Sequence, residues 1–135
     1  MAEKPYILII EDDPYILKMY ELKLGMEGYE VKTAINGKIG VDKVSERKPD
    51  LILLDILMPE MDGFEVLEHL KGDPDTKNLP VLVLSNLGQE DHINKAMSFG
   101  VQGFIVKSQY TPSQVVDAIK GVIKKNHTSQ TKPSG

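Results

Sequence analysis

Four apolar runs in the sequence end in groups that can do chemistry. YILII is followed by Glu11, Asp12 and Asp13, LILL by Asp55, VLVL by Ser85, and GFIV by Lys107. A further run ends in Ala34 and supplies no such group. Taken singly, each residue has an ordinary structural reading: Asp13 before Pro14 is a helix cap, Asp55 starts a turn, Ser85 caps a helix, and Lys107 is solvated. Together they read differently. If the runs are parallel strands of one sheet, their carboxyl ends share an edge, and in open α/β sheets that edge is where ligands bind. Carboxylates gathered there repel one another, so either one keeps its proton or a cation lies among them. A hard cation is the simpler solution. Magnesium suits oxygen ligands, needs only one or two carboxylates, and leaves positions for water and phosphate oxygens. An Asp carboxylate beside it can attack phosphorus to form an aspartyl-phosphate. The metal and Lys107 then neutralise the charge on the transferred group, and Ser85 bonds one of its oxygens.

The elements that must position these residues are legible as an alternation. Strands are predicted over Tyr6–Ile10, Tyr29–Ala34, Leu51–Leu54, Pro80–Leu84 and Gly103–Val106. The first, third and fourth are apolar at nearly every position, which a strand covered on both faces by helices requires. Between them, apolar residues at three-to-four spacing predict helices over Pro14–Met26, Lys38–Ser45, Phe64–Lys71, Glu90–Phe99 and Pro112–Lys125. Asp13-Pro14 is a start signal, Asp62 with Glu65 has capping-box spacing, and Gly28, Gly72 and Gly100 suit helix ends. The fold class that follows is α/β: a doubly wound five-stranded parallel sheet with helices on both faces.

Composition bounds the rest. A chain of 135 residues is the size of one domain and buries enough apolar surface to fold without staples. It has no cysteine, so disulfides, thiolate metal sites and cysteine nucleophiles are excluded. The apolar run near the start is too short, and too soon followed by acids, to be a signal peptide or membrane span, which makes the cytoplasm the expected compartment. A formal net charge of -4 argues against a nucleic-acid surface, which needs clustered Lys and Arg; DNA contact would fall to another domain. Residues 1–125 read as the domain, and 126–135 (NHTSQTKPSG) as a flexible tail or the start of a linker. His69, His92 and His127 have no ligand spacing and read as surface histidines, and the methionines as core fillers.

The segments ILIIEDDPYI, LILLDILMPEMDGFEVL, VLVLS and GFIVK, in this order and spacing, resemble the receiver domain of two-component response regulators. The resemblance covers the chain to about Lys125 and is specific in the third-strand motif, with its Met58-Pro59 and Asp62-Gly63 turn. It implies a flavodoxin-like strand order 2-1-3-4-5 and a phosphoryl group accepted on Asp55. Asp12 would ligate magnesium directly and Glu11 through a water, with the main-chain carbonyl of Leu57 completing the set. Ser85 and Lys107 would hold the phosphoryl oxygens. Phe104 matches the aromatic that turns inward as Ser85 moves, switching the surface of the fourth helix, fifth strand and fifth helix. The implied protein is a phosphoacceptor that catalyses its own phosphorylation and dephosphorylation, not a turnover enzyme. Its partners would be a histidine kinase or histidine phosphotransfer protein, and a downstream target or an output domain outside this chain. A phosphorylation-dependent dimer is a further form of output. Tyr15, Ile16 and Met19, on the first helix, match the positions where kinases dock, and they read equally well as core residues.

Two alternatives compete. A phosphatase of the haloacid dehalogenase-like kind also forms an aspartyl-phosphate, but carries a second acid two residues past the nucleophile, where this chain has Leu57. A receiver-like module that works without phosphorylation would have lost one of Glu11, Asp12, Asp55, Ser85 or Lys107, and all are present. Two departures from the family stand out. Ser108 follows Lys107 where many members have proline after a cis bond, and Leu57 and Leu87 replace polar residues that orient water. The apolar pair predicts slow self-dephosphorylation. Leu57→Asn should shorten the lifetime of the phosphorylated protein, followed by intact mass after removal of the donor; an unchanged lifetime would refute this.

Overall fold

The computed structural model describes residues 4–131, with 127–131 as backbone only. Strands and helices alternate: β1 (Tyr6–Ile10), α1 (Pro14–Met26), β2 (Glu30–Ala34), α2 (Gly37–Glu46), β3 (Leu51–Leu54), α3 (Gly63–Lys71), β4 (Val81–Ser85), α4 (Glu90–Ser98), β5 (Gly103–Val106) and α5 (Pro112–Thr131). All strand pairs are parallel and the sheet order is β2-β1-β3-β4-β5. The doubly wound fold expected from the sequence is therefore the one observed.

Successive residues of a strand point to opposite faces. In β1, Leu8 and Ile10 join a core with Ile52, Leu54, Val81 and Val83, covered by α2, α3 and α4 through Val44, Phe64, Leu67 and Ala96. Ile7 and Ile9 join a second core with Leu51, Leu53, Leu82 and Leu84, covered by α1 and α5 through Leu17, Leu24, Val115 and Ile119. Each such fully buried side chain stabilises the fold by about 1.5–3 kcal/mol. The central strands are apolar throughout because each of their residues enters one core or the other. β2 is an edge strand, and only its Ala34 is buried.

Local signals set the ends of the helices. Asp13 caps α1, its carboxylate accepting the N–H groups of Tyr15 (2.9 Å) and Ile16 (3.4 Å). Asp62 and Glu65 form a reciprocal capping box at α3. Gly28 and Gly100 adopt positive φ, whereas Gly72 stays right-handed at −83°, so glycine is not required there by backbone conformation. α5 continues to Thr131, past the expected end at Lys125. No proline or glycine interrupts the sequence between Lys125 and Pro133, so nothing in the polar extension breaks the helix. The rest of the expected tail, 132–135, lies outside the described residues.

Gly63 joins fold to site. A Cβ at this position would lie 2.5 Å from the Asp55 carbonyl oxygen and 2.6 Å from Ile56 Cα, both backbone atoms. Gly63→Ala must therefore displace either the start of α3 or the turn that carries Asp55. The expected cost is about 2–3 kcal/mol in urea unfolding, at the upper end for overpacking. A change below about 0.5 kcal/mol would show that the turn yields freely.

Candidate functional site at the carboxyl edge of the sheet

The parallel register brings the chain's chemical groups to one edge. Asp55 follows β3 directly, and its N–H donates to the Ile10 carbonyl at the end of β1 (3.0 Å), which fixes the turn after β3 beside Glu11. Ser85 is the register partner of Val106, so Lys107 emerges next to the end of β4. Glu11, Asp55 and Ser85 are buried, while Asp12 is exposed.

One ammonium holds the cluster. Lys107 Nζ donates to Glu11 Oε1 at 2.7 Å and to Asp55 Oδ2 at 3.0 Å. The other oxygen of each carboxylate accepts a main-chain N–H: Glu11 Oε2 from Asp13 (3.0 Å) and Asp55 Oδ1 from Leu57 (3.2 Å). One oxygen each of Glu11, Asp12 and Asp55 lies within 4.8 Å of the others. Such a set of oxygen donors, with more carboxylates than ammonium groups, fits a hard divalent cation.

Electrostatics reflect this crowding. Burial pushes the Glu11 carboxyl up to about 7; the charge of Asp55 adds to the effect, and the hydrogen bond from Lys107 opposes it. Burial alone would lower Lys107, but the Glu11 hydrogen bond and the negative charge of Asp55 outweigh it and hold the ammonium above its ordinary value. Lys107 therefore stays charged at neutral pH.

The structure brings Glu11, Asp12, Asp55 and Lys107 together. Ser85 faces the same edge, fully buried, its Oγ accepting the Leu87 N–H (3.2 Å); it does not cap α4, whose N-cap is Gln89. Phe104 is half-buried on β5 against the α2–α3–α4 core. Leu57, two residues past Asp55, leaves its side chain 51% exposed. The Lys107–Ser108 peptide is trans and opens a short 3-10 turn, Lys107–Gln109.

The α1 residues separate. Tyr15 is 87% exposed, which removes the core reading for it, whereas Ile16 and Met19 pack partly against the core. Leu22 and Met26, absent from the sequence-derived set, are exposed. Tyr15, Met19, Leu22 and Met26 follow four-three-four spacing, which places them on one helix face. That spacing was visible in the sequence, but a helix apolar on two faces does not say which one is buried.

Asn86 was also missed. Its Oδ1 accepts the Ser108 N–H at 3.1 Å and ties the loop after β4 to the one carrying Lys107. Sequence alone could not find it, because the partners are 22 residues apart and only the β4–β5 register joins them. His92 stacks on Phe64 with centroids 6.4 Å apart and belongs to no metal-capable cluster among the described residues.

A sequence profile of the family described as response regulator receiver domain matches residues 7–120. The chain belongs to that family, and it is a receiver domain of the two-component type. It is 38% identical to the chemotaxis protein CheY of Thermotoga maritima over 120 residues, covering 87% of this chain and 97% of that protein. It is 39% identical to the DNA-binding dual master transcriptional regulator RpaA of Synechocystis over 103 residues, 76% of this chain and 43% of RpaA. Against the phosphate regulon regulatory protein PhoB of Pseudomonas aeruginosa the identity is 34%, covering 88% of this chain and 52% of PhoB. The chain thus spans about half or less of these two transcriptional regulators and nearly all of the chemotaxis protein. Among solved structures, a CheY-like receiver domain protein from Methanospirillum hungatei superposes with a TM-score of 0.85 at 26% identity, covering 95% of this chain and 99% of that one. Vibrio cholerae CheY4 gives 0.81 at 27%, covering 90% and 99%. Among the described residues, no helix is long and apolar enough to cross a membrane.

The raised Glu11 has a consequence for stability. In metal-free protein the folded chain holds this proton to about pH 7, while the unfolded chain releases it near 4.5. Between those values the folded state binds more protons. The contribution is therefore fully present below about 4.5 and is lost as pH rises through 7. With a chelator present, wild type should lose on the order of 1–3 kcal/mol relative to Glu11→Gln between about pH 5 and pH 8. Parallel pH profiles of the two proteins in urea unfolding would refute the assignment.

Proposed function

We propose that this receiver domain accepts a phosphoryl group on Asp55 from a histidine kinase or histidine phosphotransfer protein, and that the reaction depends on magnesium. The observation that carries the reading is the shared ammonium of Lys107 on Glu11 and Asp55, with the Asp12 carboxylate beside them. Glu11, Asp12, Asp55 and the Leu57 carbonyl would hold the metal. When bound, it supplies positive charge for the phosphoryl oxygens.

The protein's own groups do the remaining work. A carboxylate oxygen of Asp55 attacks the phosphorus of a phosphohistidine: a P–O bond forms, the P–N bond breaks, and the electron pair stays on the imidazole, which takes a proton from solvent. Lys107, charged and within 3.0 Å of Asp55, neutralises the oxygens of the transferred group. The Ser85 hydroxyl, buried at the same edge, donates to one of them. Hydrolysis follows when water attacks the acyl-phosphate, and the exposed Leu57 side chain offers that water no partner. Asp55 needs no separate base, because a carboxylate is already a nucleophile. The phosphatase alternative is disfavoured by the same residue: Leu57 has no carboxyl to act as general acid.

The added charge of about −1.5 to −2 and the movement of Ser85 would bias the surface of α4, β5 and α5, with Phe104 turning toward the core. α4 suits this role, since only its Ala96 is buried. The α1 face that carries the exposed Tyr15, Leu22 and Met26 and the half-buried Met19 would dock the phosphodonor protein, with Ile16 supporting it from the core side. Output through a target protein, a phosphorylation-dependent dimer or a domain linked beyond Lys125 is compatible with relatives that are single receivers or longer regulators. We place the protein in the cytoplasm, where such phosphodonors act.

Incubation with a small phosphodonor and magnesium, followed by intact mass measurement, tests the central claim. Wild type should gain one phosphate-sized increment, and Asp55→Ala should gain none. An equal gain in both proteins, or a gain in neither, would overturn the assignment of Asp55.

A further inference from the structure

We propose that Asn86 is a positioning residue of the phosphoryl site: by holding the main chain just after Lys107, it fixes the Lys107 ammonium relative to the Ser85 hydroxyl, so that both meet a phosphoryl group as one unit. The inference rests on the reading of Asp55 as the phosphoacceptor.

Lys107 needs such help more than the acids do. Asp55 is a short side chain directly after a strand buried on both faces. Lys107 instead reaches Glu11 at 2.7 Å and Asp55 at 3.0 Å through a long, flexible stem. Where its ammonium lies depends on how the main chain around it is held. β5 is an edge strand, and β4 is its one strand neighbour.

The loop after β4 brackets Lys107 on both sides. Gly88 lies so close to the residue before it that a Cβ there would come within 3.2 Å of a Val106 methyl carbon. Asn86 holds the residue after it, its Oδ1 accepting the Ser108 N–H at 3.1 Å. The same loop starts at Ser85, the register partner of Val106, whose Oγ accepts the Leu87 N–H at 3.2 Å. Asn86 adjoins Ser85 in sequence, and Ser108 adjoins Lys107. This one hydrogen bond therefore joins the immediate neighbours of the two groups that would hold phosphoryl oxygens. It also requires that position 108 carry an N–H. Proline, which many family members have there, has none. The side-chain acceptor on one loop thus matches the departure from proline on the other.

The test uses the intact chain and Asn86→Ala. Asn86 is exposed, so its truncation empties no core, and the melting midpoint should match wild type. By nuclear magnetic resonance, the Ser108 amide should exchange with water about fivefold faster in the variant, as expected for one neutral hydrogen bond. Equal exchange would show that the bond does not hold the loop and would overturn the proposal. With magnesium and phosphoramidate, the rate of phosphorylation followed by intact mass should also fall about fivefold. Magnesium affinity, titrated by nuclear magnetic resonance, separates positioning from general damage. Loosening Lys107 removes a competitor for the acidic oxygens, so the variant should bind magnesium at least as tightly as wild type. A merely structural role would weaken magnesium binding together with the rate, and that result would overturn the proposal. Equal phosphorylation rates would overturn it too, while leaving the acceptor role of Asp55 intact. If wild type takes up no phosphate, both the acceptor reading and the role of Asn86 fall.

Discussion

The constraint on which this structure turns is the gathering of carboxylates from β1 and β3 at a single edge. Glu11 and Asp55 are nearly sealed from solvent, with Asp12 beside them at the surface. Left uncompensated, such a cluster would oppose folding of the sheet. Lys107 relieves part of the repulsion, while burial, with the charge of Asp55 adding to it, still holds the Glu11 carboxyl up at about 7. The site is therefore receptive to added positive charge, and its ammonium is already divided between two acceptors.

The scaffold keeps this tension in place. β1 and β3 are adjacent and buried on both faces, so Glu11 and Asp55 inherit positions that the two hydrophobic cores fix. The turn after β3 is pinned from two sides, by the Asp55 N–H on the Ile10 carbonyl and by the close approach of Gly63. β5 is an edge strand with one buried residue, Ile105. Its Lys107 end depends on the β4 register and on Asn86 holding the Ser108 N–H. The acidic half of the site thus stands on rigid strands and the cationic half on a strand and loop near the margin. α4, with a single buried residue, lies on that same side.

Most of the fold was legible in the sequence because its signals are local. Uniformly apolar runs marked the central strands, and β1, β3 and β5 begin and end where the runs do. Asp13-Pro14 and the Asp62–Glu65 box set the starts of α1 and α3, since a cap acts on residues within one turn of itself. Differences arose where no local signal exists. α5 runs to Thr131 because nothing breaks it, and the right-handed Gly72 shows that a glycine after a helix can end it without a positive φ.

The sequence by itself marked where the chemical groups fall: Glu11, Asp12, Asp55, Ser85 and Lys107 stand at the ends of apolar runs, in an order that parallel strands bring to one edge. It could do so because a strand's last residue is fixed by where hydrophobicity stops. The tertiary structure alone decided how those groups share their bonds. Which carboxylate Lys107 would hold, how Asn86 ties two loops, and which face of α1 is free all depend on strand register and helix rotation, which bring together residues tens of positions apart.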